Sequence, residues 1–459
     1  MRLPVLSKCF IALSVGFGAS AAHAATVAVV DSGLDTDSGD LAAKIWLNPA
    51  DQSVDGIDQD GNGYVDDVHG WSFIDNTYKL IDHKYSSLYS NDIVRFFAVQ
   101  SAGLNGTASA EDKAWAASLR NDKAFVKKLT TYANYAHGTH VAGIVANQGD
   151  GVSVLGIKLV PTESPLGRLH ADVTKARTDG KDLNFILRVL IKGGLSLLAQ
   201  AQAQVFTQIG TYVGTEKVDV VNGSFGIGPV QARMLLTPLL KVAGGHPPSA
   251  PLVEEFVGFF LTQLIDKQAS FVNAAPNTLF VFAAGNDGNN NDLLPTAPAS
   301  IKSDRVISVA ATFNDGRLAP FSNYGAQSVD LAAPGVSIES TVPDAHRLLL
   351  SGTSQAAPHV AGTAGAVKSL NPALTPAQIK TILLGTVDIK PELVGKVRSS
   401  GILNNLRAQA AARLSLTESL DHAIAQARNA IEDLPTPVAL VEAGDMSLWM
   451  DFQPHLLSN

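Results

Sequence analysis

The chain has 459 residues, of which 46% are hydrophobic and 17% are charged, and its formal net charge is −8. This length and apolar content are sufficient for a large buried core and exclude a disordered chain of high net charge. The negative charge disfavours nucleic acid as a partner, because phosphate backbones are bound by basic surfaces. Polypeptide or small-molecule partners are therefore favoured.

Residues 1–24 are predicted to be a secretory signal peptide. Arg2 and Lys8 flank the start of the segment, an apolar run follows, and residues 22–24 read Ala-His-Ala, a small-x-small cleavage pattern. The apolar run is short for a membrane span, which favours cleavage over an uncleaved anchor. Cys9 is the single cysteine and lies inside this segment, so disulfides and cysteine nucleophiles are not expected after cleavage. We expect a secreted or periplasmic protein without a membrane anchor.

Short apolar runs rich in β-branched residues alternate with helix-like stretches. The predicted strands are 26–31, 154–161, 218–226, 277–286, 305–312 and 329–335. The predicted helices are 140–147, 194–213, 252–268, 355–370 and 375–384. This alternation predicts the α/β class, with a parallel sheet covered by helices on both faces. The apolar runs 183–198 and 251–265 contain charged residues and are expected to be amphipathic or buried helices.

Three of the predicted strands end in polar residues beside glycine. These residues are Asp31, Ser224 and Asn286. Ligands of open parallel sheets bind at the carboxyl ends of the strands. We therefore expect the functional site at this edge of the sheet.

The segment GTSQAAPHVAG, residues 352–362, predicts a helix that starts beside a serine. Ser354 would lie next to unpaired backbone N–H groups in the positive field of a helix terminus, where a forming anion is stabilised. Pro358 would fall in or near the first turn, where a missing N–H group costs little. By itself, a serine here could equally be an ordinary helix N-cap.

Other segments supply the partners that a nucleophilic serine needs. His137, expected near a helix start, could act as the base, Asp31 could orient it, and Asn286 could donate to an oxyanion. Each residue also has a structural interpretation, as a turn residue or a helix N-terminal residue. The combination favours nucleophilic catalysis.

The sequence resembles the subtilisin-like serine proteases, the subtilase family, over roughly residues 26–412. The matching segments are VAVVDSGLD, HGTHVAGIVA, VVNGSFG, VFAAGND and SGTSQAAPHVAG. The chain order Asp, His, Ser is also that of this family. The resemblance implies a peptidase domain at residues 25–412 that folds as a three-layer α/β/α sandwich with a mostly parallel central sheet.

The resemblance also implies a role for each matching residue. Asp31 would orient His137, which would take the proton of Ser354, and Asn286 with the Ser354 backbone N–H would form the oxyanion hole. Two segments would bind substrate, one by strand pairing and one as a pocket wall; they are Ser224, Phe225 and Gly226, and Ala283, Ala284 and Gly285. Gln355 stands where the family usually has methionine, which leaves the serine chemistry intact.

The acidic segment 54–67 is predicted to bind structural calcium. Oxygen donors occupy positions 1, 3, 5, 7 and 9 of a calcium loop; they are Asp58, Asp60, Asn62, the Tyr64 carbonyl and Asp66. Gly63 occupies the sharp-turn position, whereas position 12 is His69 rather than glutamate, so the loop is not a full EF-hand. Asp55 and Asp67 are reserve ligands, and a solvated acidic turn is the alternative.

Additional segments extend the chain beyond a minimal peptidase domain. They lie at about 79–130, 161–193 and 228–250. Residues 413–459 are expected to form a C-terminal helical extension and tail, which could pack on the domain, cover the cleft or bind a partner.

Together these features predict a secreted serine endopeptidase that hydrolyses peptide bonds through an Asp-His-Ser triad and an acyl-enzyme. Its substrates are expected to be polypeptides and its state monomeric. Two alternatives stay open at this point. One is a narrow processing protease for a single partner protein, and the other is a catalytically silent protein that binds peptides in the same groove.

Overall fold

The computed structural model describes residues 24–163 and 181–433. Its strands are β1 (Ala25–Asp31), β2 (Gly70–Ser72), β3 (Val152–Lys158), β4 (Val220–Gly223), β5 (Leu279–Ala283), β6 (Val306–Thr312), β7 (Leu331–Pro334), β8 (Ile338–Val342), β9 (His346–Leu350), β10 (Asp388–Ile389) and β11 (Gly401–Ile402). The α-helices are α1 (Asn91–Leu104), α2 (Ala110–Leu119), α3 (Lys123–Ala146), α4 (Phe185–Thr215), α5 (Pro229–Gly244), α6 (Ala250–Ala274), α7 (Thr353–Leu370), α8 (Pro376–Gly385), α9 (Asn405–Leu414) and α10 (Leu420–Ala430).

Within the described residues, nine strands form one sheet in the order β10-β11-β7-β6-β5-β4-β1-β3-β2. All neighbours pair in parallel except β10 and β11. The prediction of a mostly parallel sheet is confirmed, and all six predicted strands are present; β1 begins one residue earlier than predicted, β3 begins two residues earlier, and the other four are shorter. β8 and β9 form a separate antiparallel hairpin.

The sheet lies between two helical layers, and β1 shows how. Val27 and Val29 face a core shared with α3, α7, α8, α9 and α10. Ala28 and Val30 face the opposite core, which α4 and α6 cover. Buried strands of this kind read as continuous apolar runs because both faces are covered. The three-layer α/β/α prediction is therefore confirmed.

Helix α3 is much longer than the predicted helix at 140–147. It begins after Asp122, whose carboxylate accepts hydrogen bonds from the Ala124 and Phe125 N–H groups, and it runs on to Ala146. The expectation that His137 stands at a helix start is therefore wrong: this residue lies in the interior of α3. Helices α1 and α2 and the first half of α3 form a helical group that packs on the β8–β9 hairpin.

Helix α4 extends the predicted helix at 194–213 toward its N-terminus and agrees with the expectation of an amphipathic helix at 183–198. Leu195, Ala199 and Ala203 on one side are buried, but large apolar side chains on the other side are exposed, namely those of Phe185, Ile186, Val189, Leu190, Leu197 and Leu198. By length and composition alone, α4 is the one helix of the described residues that could cross a membrane. Only 11% of its most apolar window is buried inside the protein. The run at 183–198 is thus amphipathic with its apolar side partly facing solvent.

Helices α9 and α10 pack against α8 and continue the core to the end of the described residues. Ala423 and Ala427 of α10 are fully buried. Arg407 of α9 is also buried and bonds the Asp388 carboxylate at 2.9 Å, which holds α9 against β10. The predicted signal peptide, except Ala24, and the tail from residue 434 lie outside the described residues.

Candidate active site

Asp31 and His137 form a buried pair at the carboxyl edge of the sheet. Asp31 is the last residue of β1, and its Oδ1 lies 2.7 Å from Nδ1 of His137. Each side chain is 1% exposed. The same Oδ1 accepts the Ser32 N–H at 2.7 Å, which fixes the orientation of the carboxylate. A carboxylate on Nδ1 fixes the tautomer that leaves Nε2 able to accept a proton.

Gly138 allows this pair to form. A Cβ atom at Gly138 would lie 1.9 Å from the carbonyl oxygen of Gly33, in the loop that follows β1. The backbone of α3 therefore reaches that loop only because no side chain intervenes. The close approach brings the adjacent His137 into contact with Asp31.

Ser354 lies at the start of α7, as the sequence predicts. Its Oγ donates a hydrogen bond to the Ser224 carbonyl oxygen at 3.1 Å, and Ser224 Oγ donates to the Ser354 carbonyl at 3.0 Å. These reciprocal bonds hold α7 at the carboxyl end of β4. Nε2 of His137 has no hydrogen-bond partner among the described residues, so the structure does not join Ser354 to His137. A rotation about the Ser354 χ1 angle is the smallest change that redirects Oγ.

Asn286 lies beside Ser354 and is anchored through its oxygen. Oδ1 accepts hydrogen bonds from the Thr353 N–H at 2.8 Å and the Thr353 hydroxyl at 2.9 Å. This geometry leaves the Nδ2 amide group of Asn286 as a donor. Sequence reasoning missed Thr353, although it directly precedes Ser354 in the same motif.

The reactive groups of the site are little exposed to solvent. Ser354 is 7% exposed and Nε2 of His137 is buried. The β8–β9 hairpin runs alongside α3, where Nε2 of His140 lies 3.1 Å from the carbonyl oxygens of both Ile338 and Leu348.

The structure places the predicted substrate segments close to Ser354 but buries most of their side chains. Phe225 packs on Phe206 and Phe282 in the core, with ring centroids 5.6 and 6.3 Å apart. Ala283 and Ala284 also lie in core clusters. Gly285 has a φ of 110° and its N–H donates to the Thr353 hydroxyl. These segments therefore offer mainly backbone to a substrate.

In the predicted calcium loop, two carboxylates shape the backbone. Asp58 accepts the Gly61, Asn62 and Gly63 N–H groups. Asp66 accepts the Asp55 and Gly56 N–H groups at 2.9 and 2.8 Å. The Tyr64 ring packs on Trp71 and Tyr212, with centroids 5.2 and 4.8 Å away. Among the described residues, Asp58, Asp60 and Asp66 do not form a set whose ligand atoms all lie within 4.8 Å of one another.

Three other carboxylates surround the Asn62 amide, although their ligand atoms do not all lie within 4.8 Å of one another either. Asp60, Asp67 and Glu216 each accept a hydrogen bond from Nδ2 of Asn62, at 3.2, 3.1 and 3.0 Å. Burial, together with the charges of Asp67 and Asp60, raises the pKa of Glu216 to about 7. No described lysine or arginine forms an ion pair with these three carboxylates. Sequence reasoning missed Glu216, the C-cap of α4, because it lies far from the loop in the chain.

A parallel sheet that carries an aspartate–histidine pair and a serine at its carboxyl edge places the chain in the class of α/β serine hydrolases. The sequence model of the Subtilase family matches residues 22–410, and the chain belongs to that family. Subtilisin BL of Lederbergia lenta is 30% identical over 269 residues, which cover 58% of this chain and 76% of that protein. The predicted identity as a subtilisin-like serine endopeptidase is confirmed by these matches.

Two further similarities differ in how much of each chain they cover. An extracellular protease of Xanthomonas campestris pv. campestris is 32% identical over 285 residues, which cover 58% of this chain and 39% of that protein. The solved structure of a cold-adapted subtilisin-like serine proteinase superposes with a TM-score of 0.44 at 18% identity, covering 83% of this chain and 88% of that one.

His140 gives a pH-dependent test of how α3 is held against the hairpin. Burial lowers the pKa of His140 to about 3, so the folded protein keeps this ring neutral while the unfolded chain protonates it near pH 6.5. Between these values the unfolded state binds more protons, and stability must fall as pH falls. Between pH 6.5 and pH 5, the free energy of unfolding of the wild type should therefore fall by about 1.6 kcal/mol more than that of His140→Gln.

Urea unfolding at the two pH values measures this difference. His422→Gln is the matched control, since the His422 side chain is 58% exposed and should leave the pH dependence unchanged. Equal losses of stability in wild type and His140→Gln would show that His140 is not held neutral by burial.

Proposed function

We propose that the protein is a serine endopeptidase in which Asp31, His137 and Ser354 form the catalytic triad. The observation that carries this proposal is the 2.7 Å contact between Asp31 Oδ1 and His137 Nδ1, at the sheet edge where Ser354 begins α7. A buried carboxylate on Nδ1 orients the ring and stabilises the imidazolium that forms when Nε2 takes a proton.

The proposed reaction starts when Ser354 Oγ leaves the Ser224 carbonyl and turns to Nε2 of His137. Oγ attacks the carbonyl carbon of the scissile peptide bond while Nε2 takes the hydroxyl proton. Nδ2 of Asn286 and the Ser354 N–H donate to the tetrahedral oxyanion. One side-chain donor of this kind contributes about 2.7–4 kcal/mol to transition-state stabilisation.

The tetrahedral intermediate then collapses to an acyl-enzyme. His137 gives its proton to the nitrogen of the leaving amine, and the peptide C–N bond breaks. A water molecule, deprotonated by His137, attacks the ester formed with Ser354 and releases the new carboxylate. Both half-reactions use the same base and the same oxyanion donors.

The proposed substrates are polypeptides in extended conformation. The backbone of Ser224, Phe225 and Gly226 would pair with the substrate on one side, and the backbone at Ala283, Ala284 and Gly285 would line the pocket for the residue before the cut. A narrower variant of this proposal is a processing protease for a single partner protein. We also propose export, in accord with the leader-like residues 1–24 and the relative named as an extracellular protease.

One observation favours a second candidate, a catalytically silent peptide-binding protein. Ser354 Oγ is engaged by the Ser224 carbonyl, while Nε2 of His137 has no partner among the described residues. If this arrangement persisted with substrate bound, the groove would bind peptides without cleaving them. The two candidates differ in whether Ser354 becomes nucleophilic.

A fluorophosphonate probe distinguishes the two candidates. The wild type should be labelled and should cleave a denatured polypeptide, because an activated serine attacks phosphorus as it attacks a carbonyl. Ser354→Ala should lose both properties, whereas Ser118→Ala, at an exposed serine on α2, should keep both. Labelling is followed by gel fluorescence, and the modified peptide is identified by mass spectrometry.

Two results would refute the enzymatic proposal. One is a folded wild type without label or cleavage, which would leave the silent binding protein. The other is equal labelling of wild type and Ser354→Ala, which would place the reactive group elsewhere.

We further propose that loop 55–67 binds a structural calcium ion. Its residues offer only oxygen donors, which Ca²⁺ prefers, and the unpaired charges of Asp60, Asp67 and Glu216 favour a cation. The Asn62 and Tyr64 oxygens are further donors, and Asp58 and Asp66 would shape the loop through their backbone contacts. When bound, the ion would join the loop to the end of α4.

Calcium at 100 times its Kd should then raise the free energy of unfolding by about 2.7 kcal/mol. A chelator should lower the Tm of the wild type. In Glu216→Gln the difference between calcium and chelator should shrink, because one of the converging charges is removed. Asp304→Asn, at an exposed carboxylate outside the loop, is the control. A wild-type Tm that is the same in calcium and in chelator would refute the calcium proposal.

A further inference from the structure

Three side chains outside the triad and the calcium loop bring metal-ligand atoms together. Asp35, His83 and Asp344 each offer one ligand atom, and these atoms all lie within 4.8 Å of one another. His83 Nδ1 is 3.4 Å from Asp344 Oδ1, and His83 Nε2 is 4.0 Å from Asp35 Oδ1. The Asp344 N–H also donates to Asp35 Oδ2 at 2.9 Å, which ties the two aspartates to each other.

The three residues come from segments that are distant in the chain. Asp35 lies in the loop after β1, His83 begins a short 3-10 helix in the segment before α1, and Asp344 lies in the turn between β8 and β9. Each segment packs against α3, and the Asp35 N–H donates to the Thr139 hydroxyl of that helix. The fold therefore gathers one imidazole and two carboxylates at one place on the rim of the catalytic edge.

No lysine or arginine of the described residues forms an ion pair with the carboxylates of this group. Asp35 is 3% exposed, and its one ion-pair partner among the described residues is His83. The nearest lysine in sequence, Lys84, is paired with Asp82 at 2.7 Å. The Asp35 carboxylate accepts the Asp37 and Asp344 N–H groups, but a neutral imidazole adds no charge to balance it, so a bound cation would stabilise the ionised form.

The donor set selects the kind of metal. Calcium and magnesium take oxygen ligands, whereas an imidazole nitrogen with carboxylate oxygens suits Zn²⁺. Two ligand atoms at tetrahedral positions about 2.0–2.2 Å from zinc lie roughly 3.4 Å apart, close to the observed spacing between His83 and Asp344. The 4.0 Å contact with Asp35 is made by the other ring nitrogen, but one ligand atom from each of the three residues still lies within 4.8 Å of the other two. The His83 side chain is 55% exposed, so its ring is free to turn toward both carboxylates.

We propose that Asp35, His83 and Asp344 form a binding site for one Zn²⁺ ion. Three protein ligands leave a fourth position for water. The ion would fasten the turn of the β8–β9 hairpin to the loop that follows β1, beside the segment of α3 that leads to His137. Zinc would thus stabilise the elements around the catalytic edge without entering it.

The test uses the full chain expressed without a histidine tag and stripped of metal by a chelator. Titration calorimetry with zinc chloride should show one site in the wild type, and zinc should raise the Tm. His83→Ala and Asp344→Asn should each weaken binding at least about 10-fold and remove most of the Tm increase. His422→Ala is the control, since His422 is exposed and contacts a single carboxylate, that of Glu418.

The titration does not depend on peptidase activity, so it can fail while the proposed function stands. Circular dichroism establishes that each variant is folded before its zinc affinity is compared. Absence of zinc binding in the wild type, or unchanged affinity in folded His83→Ala, would overturn the proposal. Displacement of zinc by an equal concentration of calcium would also overturn it, because the site would then be one for hard cations.

Discussion

The hydrogen bond between Asp31 and His137 requires the carboxyl end of β1 and the interior of α3 to meet in a buried place. A carboxylate that is 1% exposed is stable only when its surroundings supply donors, and here the Ser32 N–H and the His137 ring supply them. The glycine at 138 removes the side chain that would keep α3 away from the β1 loop. The sheet, the helix and the glycine together place one imidazole at one orientation.

Ser354 depends on a different set of contacts. Its helix is held by the exchange of hydrogen bonds with Ser224 and by the bonds from Thr353 to Asn286. These bonds bring the ends of β4 and β5 to the first turn of α7. The serine is thus placed by one side of the sheet edge and the imidazole by the other. The rotation of a single hydroxyl is the simplest step that separates the observed arrangement from a reactive one.

The strands and the site residues could be predicted because their signals are local. β1, β5 and β6 are continuous apolar runs, and Asp31, Ser354 and Asn286 follow or precede glycine-bordered turns in ordered motifs. The length of α3 could not be predicted in this way, because its first half is stabilised by packing on the β8–β9 hairpin, more than 200 residues later. The exposed apolar side of α4 was missed for a related reason: periodicity identifies an apolar face but not whether another element covers it.

The acidic groups show the same limit. The loop at 55–67 is visible in sequence, but Glu216 joins it only through the fold. Asp35, His83 and Asp344 have no common motif, since each lies in a different segment. Both groups combine residues from loops and helix ends outside the strands. No described lysine or arginine forms an ion pair with either group; the imidazole of His83 is the one basic side chain that contacts the second group.

The central claim is that Asp31 holds the proton on Nδ1 of His137 inside a water-excluded site. Proton NMR of the protein with ¹⁵N-labelled histidine measures that proton directly. The account predicts a slowly exchanging ring N–H resonance far downfield of the backbone amides in the wild type and its loss in Asp31→Ala. Absence of the resonance in the folded wild type, or its persistence in Asp31→Ala, would contradict the account.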